Sequence, residues 1–393
     1  MKIKQILPKQ QFRFFSKAIL LSLITLFIFS CSSVSTNSFN FYEVNKTMEK
    51  AIADSIFPGG VLLFGIDNSF IYSKTFGHYT YDKSSPKMKL NTIFDLASVS
   101  KVVGTTSAAM ILYDEGKLKL DEKVKTYLPE FNNHGKGVIT IRNLLVHNSG
   151  LPAFKKYYDI YNTEQEVIND IMNTELIYKP GSKYVYSDLG IITLQKVIEK
   201  ITGMGLDEFL KEKLFKPLEM TRTMYNPPDS LKNQCAPTEI DTFFRMRPLQ
   251  GEVHDERAYM LHGVAGHAGL FSTVEDLSKF VRMLINDGKY NGKQIISPKT
   301  IEEWTTKQSN QSDRGLGWEV KSKEKASCGK YFSMNSFGHT GYTGTSIWVD
   351  KDKKLFVIML TNRVYPTRKN RKIYPFRSVI HSVVYKSIFN VNE

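Results

Sequence analysis

Two pairs of apolar runs, one toward each end of the 393-residue chain, constrain its fold most. Near the amino-terminal end, residues 60–66 and 70–76 flank Asp67-Asn68-Ser69, and near the other end residues 346–349 and 355–360 flank Asp350-Lys351-Asp352. Runs of this length around a short Asp/Asn turn predict two β-hairpins. Between them, helical spacing runs through 99–115, 164–172, 189–201, 206–214, 274–286 and 299–305, and helices are also expected over 42–53 and 379–389. Hairpins at both ends with helices between them require a sheet assembled from the two termini. The expected fold is therefore α/β of the α+β type: an antiparallel sheet flanked by helices, with an inserted, mainly helical lobe. The sheet lobe should cover about 46–115 and 271–393, the helical lobe about 116–270, and an active site belongs between them. No repeat period and no long Pro/Gly/Ser linker divides the chain, and 41% hydrophobic residues suffice for one large core.

The first thirty residues are of another kind. Lys2, Lys4, Lys9, Arg13 and Lys17 precede an uncharged apolar run over 18–29, too short to span a bilayer comfortably and suited to a signal-peptide core. Ser30-Cys31 follows, with Ile28 two residues further back, and this resembles the lipobox of bacterial lipoproteins. That resemblance implies a signal peptide over 1–30, lipidation of Cys31 and a tether over 31–45; an uncleaved membrane anchor is the alternative. Either way the protein is expected in the cell envelope, held to a membrane. Removing five positive charges with residues 1–30 takes the formal charge from +14 to +9. The remaining lysines are scattered and accompany no nucleic-acid-binding motif, so a nucleic-acid partner is not expected. Of the other cysteines, Cys235 and Cys328 have neither Cys-x-x-Cys nor metal-ligand spacing; one bridge or two free thiols both remain open.

Catalytic chemistry begins at Ser98-Val99-Ser100-Lys101. A lysine three residues after a serine at a helix start projects onto the same face, within reach of the hydroxyl. The hydroxyl needs a base to become a nucleophile, and the helix start leaves a free N–H at Ser98 to stabilise an oxyanion. Alone, the pattern equally describes a helix cap followed by a solvent lysine.

Two further motifs follow in order: Tyr186-Ser187-Asp188 after Pro180-Gly181, and His339-Thr340-Gly341 before the second hairpin. The ordered set resembles the penicillin-recognising serine hydrolases, among them class C β-lactamases, DD-peptidases and related esterases, for which Ser-x-x-Lys is a known signature. The similarity extends over about 59–362 and includes Leu144-Leu145-Val146-His147-Asn148-Ser149-Gly150 and Gly269-Leu270-Phe271-Ser272. It implies that Ser98 attacks a carbonyl, that Lys101 and Tyr186 exchange protons, and that the Ser98 and Tyr342 N–H groups hold the oxyanion. Asp188 and the run His339, Thr340, Gly341 would contact substrate. Asp188 stands where true β-lactamases carry Asn, and His339 where they carry Lys, so an amide or ester other than a β-lactam is expected.

Glu252-Val253-His254-Asp255-Glu256 and Gly263-Val264-Ala265-Gly266-His267 look like a branch of the family acting on peptidoglycan-derived muropeptides, some as amidases. His254, Asp255, His262 and His267 could meet as a metal site, line the substrate cleft, or hydrogen-bond structurally. Their spacing matches no standard zinc pattern, and neither metal nor cofactor is called for. The expected substrate is a small peptide or muropeptide. A carboxylesterase, a weak β-lactamase and a non-catalytic wall-binding lipoprotein are the competing readings.

Overall fold

A computed structural model describes residues 39–323 and 326–391. The signal segment, Cys31 and the tether up to residue 38 lie outside the described residues. From Phe41 onward the chain forms one compact unit. Its first helix, Tyr42–Ala53, takes up the last residues assigned to the tether. No described helix is long and apolar enough to cross a membrane.

In chain order the strands are β1 (Gly59–Ile66), β2 (Ser69–Gly77), β3 (Phe94–Asp95), β4 (Met224–Tyr225), β5 (Leu270–Ser272), β6 (Lys289–Tyr290), β7 (Lys293–Gln294), β8 (Glu319–Val320), β9 (Ser336–Thr340), β10 (Ser346–Asp350) and β11 (Leu355–Thr361). The main sheet runs β2-β1-β11-β10-β9-β8 with every neighbouring pair antiparallel. Both expected hairpins are present, and β1 zips directly onto β11, so the two ends of the chain share one sheet.

The β1–β11 register pairs Val61 with Leu360, Leu62 with Met359 and Leu63 with Ile358. Side chains alternate across a strand, so this register sorts the apolar residues onto two faces. Leu62, Phe64, Val357 and Met359 pack with Val44 and Met48 of the first helix and with Ile380 and Val384 of the last. Val61, Leu63, Ile358 and Leu360 pack with the large helical body. A one-residue slip would exchange the two faces and expose neither set to its partner. Cys235 and Cys328 are buried free thiols belonging to these two different clusters, so the sheet separates them and no bridge forms.

The last helix, Ile373–Phe389, starts six residues earlier than its spacing suggests. Pro375 lies in its first turn, where a missing N–H costs nothing. Strand β9 was not legible either, because Ser-Phe-Gly-His-Thr contains no apolar alternation. Gly338 makes its pairing with β10 possible: a Cβ there would lie 2.5 Å from the Trp348 ring and 2.2 Å from the Ile347 carbonyl.

Candidate active site

Strand β3 ends in Asp95, a fully buried carboxyl that accepts the Ala97 N–H at 2.8 Å and the His254 N–H at 2.7 Å. Burial pushes its pKa upward. These bonds hold Ala97 at φ +45°, a left-handed conformation unusual for a residue with a Cβ, and turn the chain so that Ser98 is half-buried at a cleft of about 360 Å³. The helix begins at Val99 and enters the core, residues Lys101 to Thr106 in π-helical form before α-helix resumes at Ser107–Asp114. Such bulges cluster at functional sites because they re-aim side chains.

Lys101 is buried, with Nζ 3.1 Å from Ser98 Oγ, 2.9 Å from the His267 carbonyl and 2.8 Å from Asp188 Oδ1. Burial works against its charge, but Asp188 and then Tyr186 override that penalty and raise its pKa above the ordinary lysine value. The ammonium also lies 4.9 Å from the centre of the Tyr186 ring. Tyr186 and Asp188 come from the start of the helix Asp188–Thr202, which Ser187 caps by accepting the Gly190 N–H at 3.1 Å. The serine and lysine of one motif and the tyrosine of another, 85 residues further on, therefore converge.

Asp188 is not a free group facing substrate. Its second oxygen pairs with Arg257 at 3.0 Å, and Arg257 pairs in turn with Asp255, which hydrogen-bonds His267 Nε2 at 2.9 Å. Burial opposes ionisation of Asp255, yet Arg257 and His267 override it and hold the carboxyl well below the usual carboxylate range. Asp188 is lowered in the same way, against burial, by Lys101, His267 and Arg257. Arg257 is the residue that sequence reasoning missed here. Only its position two residues after Asp255 hinted at it, because its second partner is 69 positions away in the chain.

The four candidate metal ligands do not meet. His262 is exposed beside Glu164, and His254 turns to Glu239 at 2.8 Å. Asp255 and His267 instead join Asp188, with one ligand atom from each within 4.8 Å of the others. An ion would fit there by distance, but Lys101 and Arg257 already occupy both carboxylates, so the donor set is charge-balanced without a metal.

The third motif divides in two. His339 lies on β9, buried behind Tyr186 at 6.1 Å between ring centres, with Nδ1 2.9 Å from the Thr340 carbonyl. Burial, then Arg314 and Lys101, depress its pKa well below the usual value, so it is neutral near pH 7. Its contact is with Tyr186, whereas the resemblance led us to expect contact with substrate. Half-buried Thr340 ends the strand, and Gly341 packs so tightly on the Leu96 carbonyl that a Cβ would approach it to 2.4 Å. Tyr342 forms the cleft wall. Arg363 grips it by donating to its carbonyl at 2.7 Å and stacking 4.3 Å from its ring, and the His254 ring lies 5.8 Å away. Among the described residues neither the Ser98 nor the Tyr342 N–H donates to a protein acceptor. The site thus combines a hydroxyl beside a buried ammonium, a phenol facing that ammonium, and two open N–H donors, the parts needed for acyl transfer.

The family model described as "Beta-lactamase" matches residues 44–380. The "N-acetylmuramyl-L-alanine amidase" of Bacillus subtilis (strain 168) is 35% identical over 355 residues, spanning 82% of this chain and 80% of the relative. A protein of Escherichia coli (strain K12) named "Putative D-alanyl-D-alanine carboxypeptidase" is 33% identical over 371 residues, spanning 84% and 85%. Among solved structures, a penicillin-binding protein homologue from Caulobacter crescentus superposes with a TM-score of 0.70 at 18% identity, covering 88% of this chain and 97% of its own.

Proposed function

The chain belongs to the beta-lactamase family and is a serine hydrolase, and from that premise we propose that it forms an acyl-enzyme at Ser98 and hydrolyses an amide of peptidoglycan-derived muropeptides. The observation carrying the acyl-enzyme is the 3.1 Å contact of Ser98 Oγ with a buried Lys101 that also faces Tyr186. Because Asp188 keeps Lys101 protonated, the lysine is a poor base in the resting enzyme, and the proton-accepting role falls to the oxygen of Tyr186, whose ring the ammonium faces. In the acylation step the Ser98 proton passes to Tyr186, Oγ bonds the carbonyl carbon, and the Ser98 and Tyr342 N–H groups receive the oxyanion. Tyr186 then returns the proton to the leaving nitrogen as the C–N bond breaks, and water reverses the sequence to release the acid.

The substrate class rests on two supports. One is the names of the two relatives, an N-acetylmuramyl-L-alanine amidase and a putative D-alanyl-D-alanine carboxypeptidase. The other is what the site has lost for β-lactams: Asp188 is bound up by Lys101 and Arg257, and neutral, buried His339 offers no cation to a β-lactam carboxylate. Tyr158 lines both the Ser98 cleft and a neighbouring cleft of about 570 Å³ walled by Phe244 and Tyr259, so a conjugate larger than a β-lactam has adjoining space to occupy.

Purified protein tested on an N-acetylmuramyl-L-alanine peptide, a D-alanyl-D-alanine peptide, p-nitrophenyl acetate and nitrocefin separates the readings. Release of N-acetylmuramic acid, lost in Ser98→Ala, is the expected result. Release of D-alanine alone would replace the amidase by a carboxypeptidase, and turnover of the ester alone would remove the cell-wall substrate altogether. We also propose export and anchoring through Cys31, on the basis of the charged, then apolar, then Ser-Cys leader. Incorporation of labelled palmitate that persists in Cys31→Ala would refute it.

A further inference from the structure

Arg314 sits just before β8, only 9% exposed, and among the described residues its guanidinium donates to no carboxylate. An unpaired buried guanidinium is costly, so its position calls for a reason. Its Nε donates to Tyr184 Oη at 3.2 Å, its Nη1 is buried without a partner, and its guanidinium carbon lies 5.2 Å from the centre of the Tyr186 ring. The Tyr186 hydroxyl is likewise buried and unpartnered. The backbone around Arg314 is fixed: its carbonyl accepts the Gln308 N–H at 2.7 Å, and Gly315 N–H donates to Trp318 at 3.0 Å.

We propose that Arg314 is a positioning residue for proton transfer, its guanidinium joining the Lys101 ammonium against Tyr186 to stabilise the phenolate that takes the Ser98 proton. The inference rests on the acyl-enzyme reading and goes beyond it, since Arg314 belongs to none of the three motifs and does not itself line the cleft, which it meets only through Tyr186. Every other titratable or charged group around Tyr186 leaves this role open. His147, whose ring centre is 4.5 Å from that of Tyr186, and His339 at 6.1 Å are both held neutral, by burial first and by Arg314 next. Asp188 is consumed by Lys101 and Arg257, and Tyr184 is a neutral phenol pushed upward by burial. Glu319, the acid that acts on Arg314, is itself pushed toward its protonated form by burial. Arg314 thereby brings a positive charge to the position behind the tyrosine where neutral His339 brings none.

The test is the rate at which a fluorophosphonate labels Ser98 as a function of pH, in the wild type, Arg314→Gln and Arg314→Lys. Labelling needs only the Ser98 proton to move to Tyr186 as the phosphorus–oxygen bond forms and fluoride leaves, so it requires no natural substrate. The rising limb of the profile should move to alkaline pH by on the order of one unit in Arg314→Gln, and Arg314→Lys should restore most of that displacement. A limb that stays in place in folded Arg314→Gln, or moves as far in Arg314→Lys, overturns the proposal. Tyr184→Phe loosens the guanidinium without removing its charge and gives a second reading should Arg314→Gln not fold: a smaller alkaline displacement is expected, and none overturns the proposal. Failure of the wild type to label overturns the Ser98 reading and Arg314 with it, whereas a labelled wild type with unmoved variants overturns Arg314 alone.

Discussion

Asp188 shows how one residue sets the working state of its neighbours. Its two oxygens join Lys101 and Arg257, so the single substitution Asp188→Asn leaves two buried cations without their shared counter-charge. Breaking a buried pair on one side costs about 3 kcal/mol, and urea unfolding of Asp188→Asn should register a loss of that order. Ser98 labelling should fall roughly tenfold or more, because the Lys101 ammonium beside Ser98 loses the counter-charge that holds it charged and in place. Wild-type stability in the variant would show that the carboxylate is dispensable to both cations. Ala97 offers a second test at this scale. With φ at +45°, Ala97→Gly should change stability by less than about 1 kcal/mol, whereas the β-branched Ala97→Val should cost about 2 kcal/mol and slow labelling. Equal melting temperatures for the two variants would mean that the turn before Ser98 stores no conformational constraint. The residue types of Ser98, Lys101 and Tyr186 were legible in the sequence because their spacing carries chemistry. Arg257 and Arg314 were not, since each acts through partners that only folding brings close.

Among the elements, the turn after β9 carries the burden of the oxyanion site. Thr343 donates to the Asp95 carbonyl at 2.7 Å, Thr345 to the Leu96 carbonyl at 2.9 Å, and Arg363 and Arg377 hold the turn's own carbonyls. The turn is thereby tied to the same backbone that presents Ser98. Gly341→Ala would place a Cβ 2.4 Å from the Leu96 carbonyl and 2.1 Å from Thr345 Oγ1, pushing the two apart. Labelling of Ser98 should drop by about tenfold or more, the cost of one misplaced oxyanion donor, while the far-UV circular dichroism stays that of the wild type. Unchanged labelling would show that Tyr342 does not serve the reaction. Long helices such as Asp188–Thr202 and Val274–Ile285 and the long strands β1 and β11 could be read from periodicity. The two- and three-residue strands β3, β4 and β5 could not: each pairs with a partner far along the chain, Phe94 with Ser272 and Met224 with Phe271, and carries no local pattern.

For the whole molecule, buried histidines set the acid limit of stability. Burial pushes His381, at the core of the last helix, down to about 4, and holds His147 and His339 well below the usual value. A depressed folded pKa means that the unfolded chain binds the proton first. Stability is then fully present above the unfolded value of about 6.5 and is lost as pH falls toward the folded one. Glu239 acts in the same direction further down: despite burial, His254 and Arg368 hold it at about 2, so its share is lost only between about 4.3 and 2. Unfolding free energy should therefore decline from about pH 6.5 downward, with a shallower slope between 6.5 and 4 in His381→Gln; identical slopes would show that His381 is free to charge in the native state. The chain's own sequence determined the antiparallel sheet built from both ends, the helical insertion and the identity of the Ser-Lys-Tyr set, because hydrophobic period and motif spacing are local properties. Tertiary structure alone decided that Asp188 is an ion-pair hub, that His339 sits neutral behind Tyr186, and that Arg257 and Arg314 lie against the Ser98–Lys101–Tyr186 cluster. Charge states and ion pairs follow from burial and distance, and neither exists until the chain has folded.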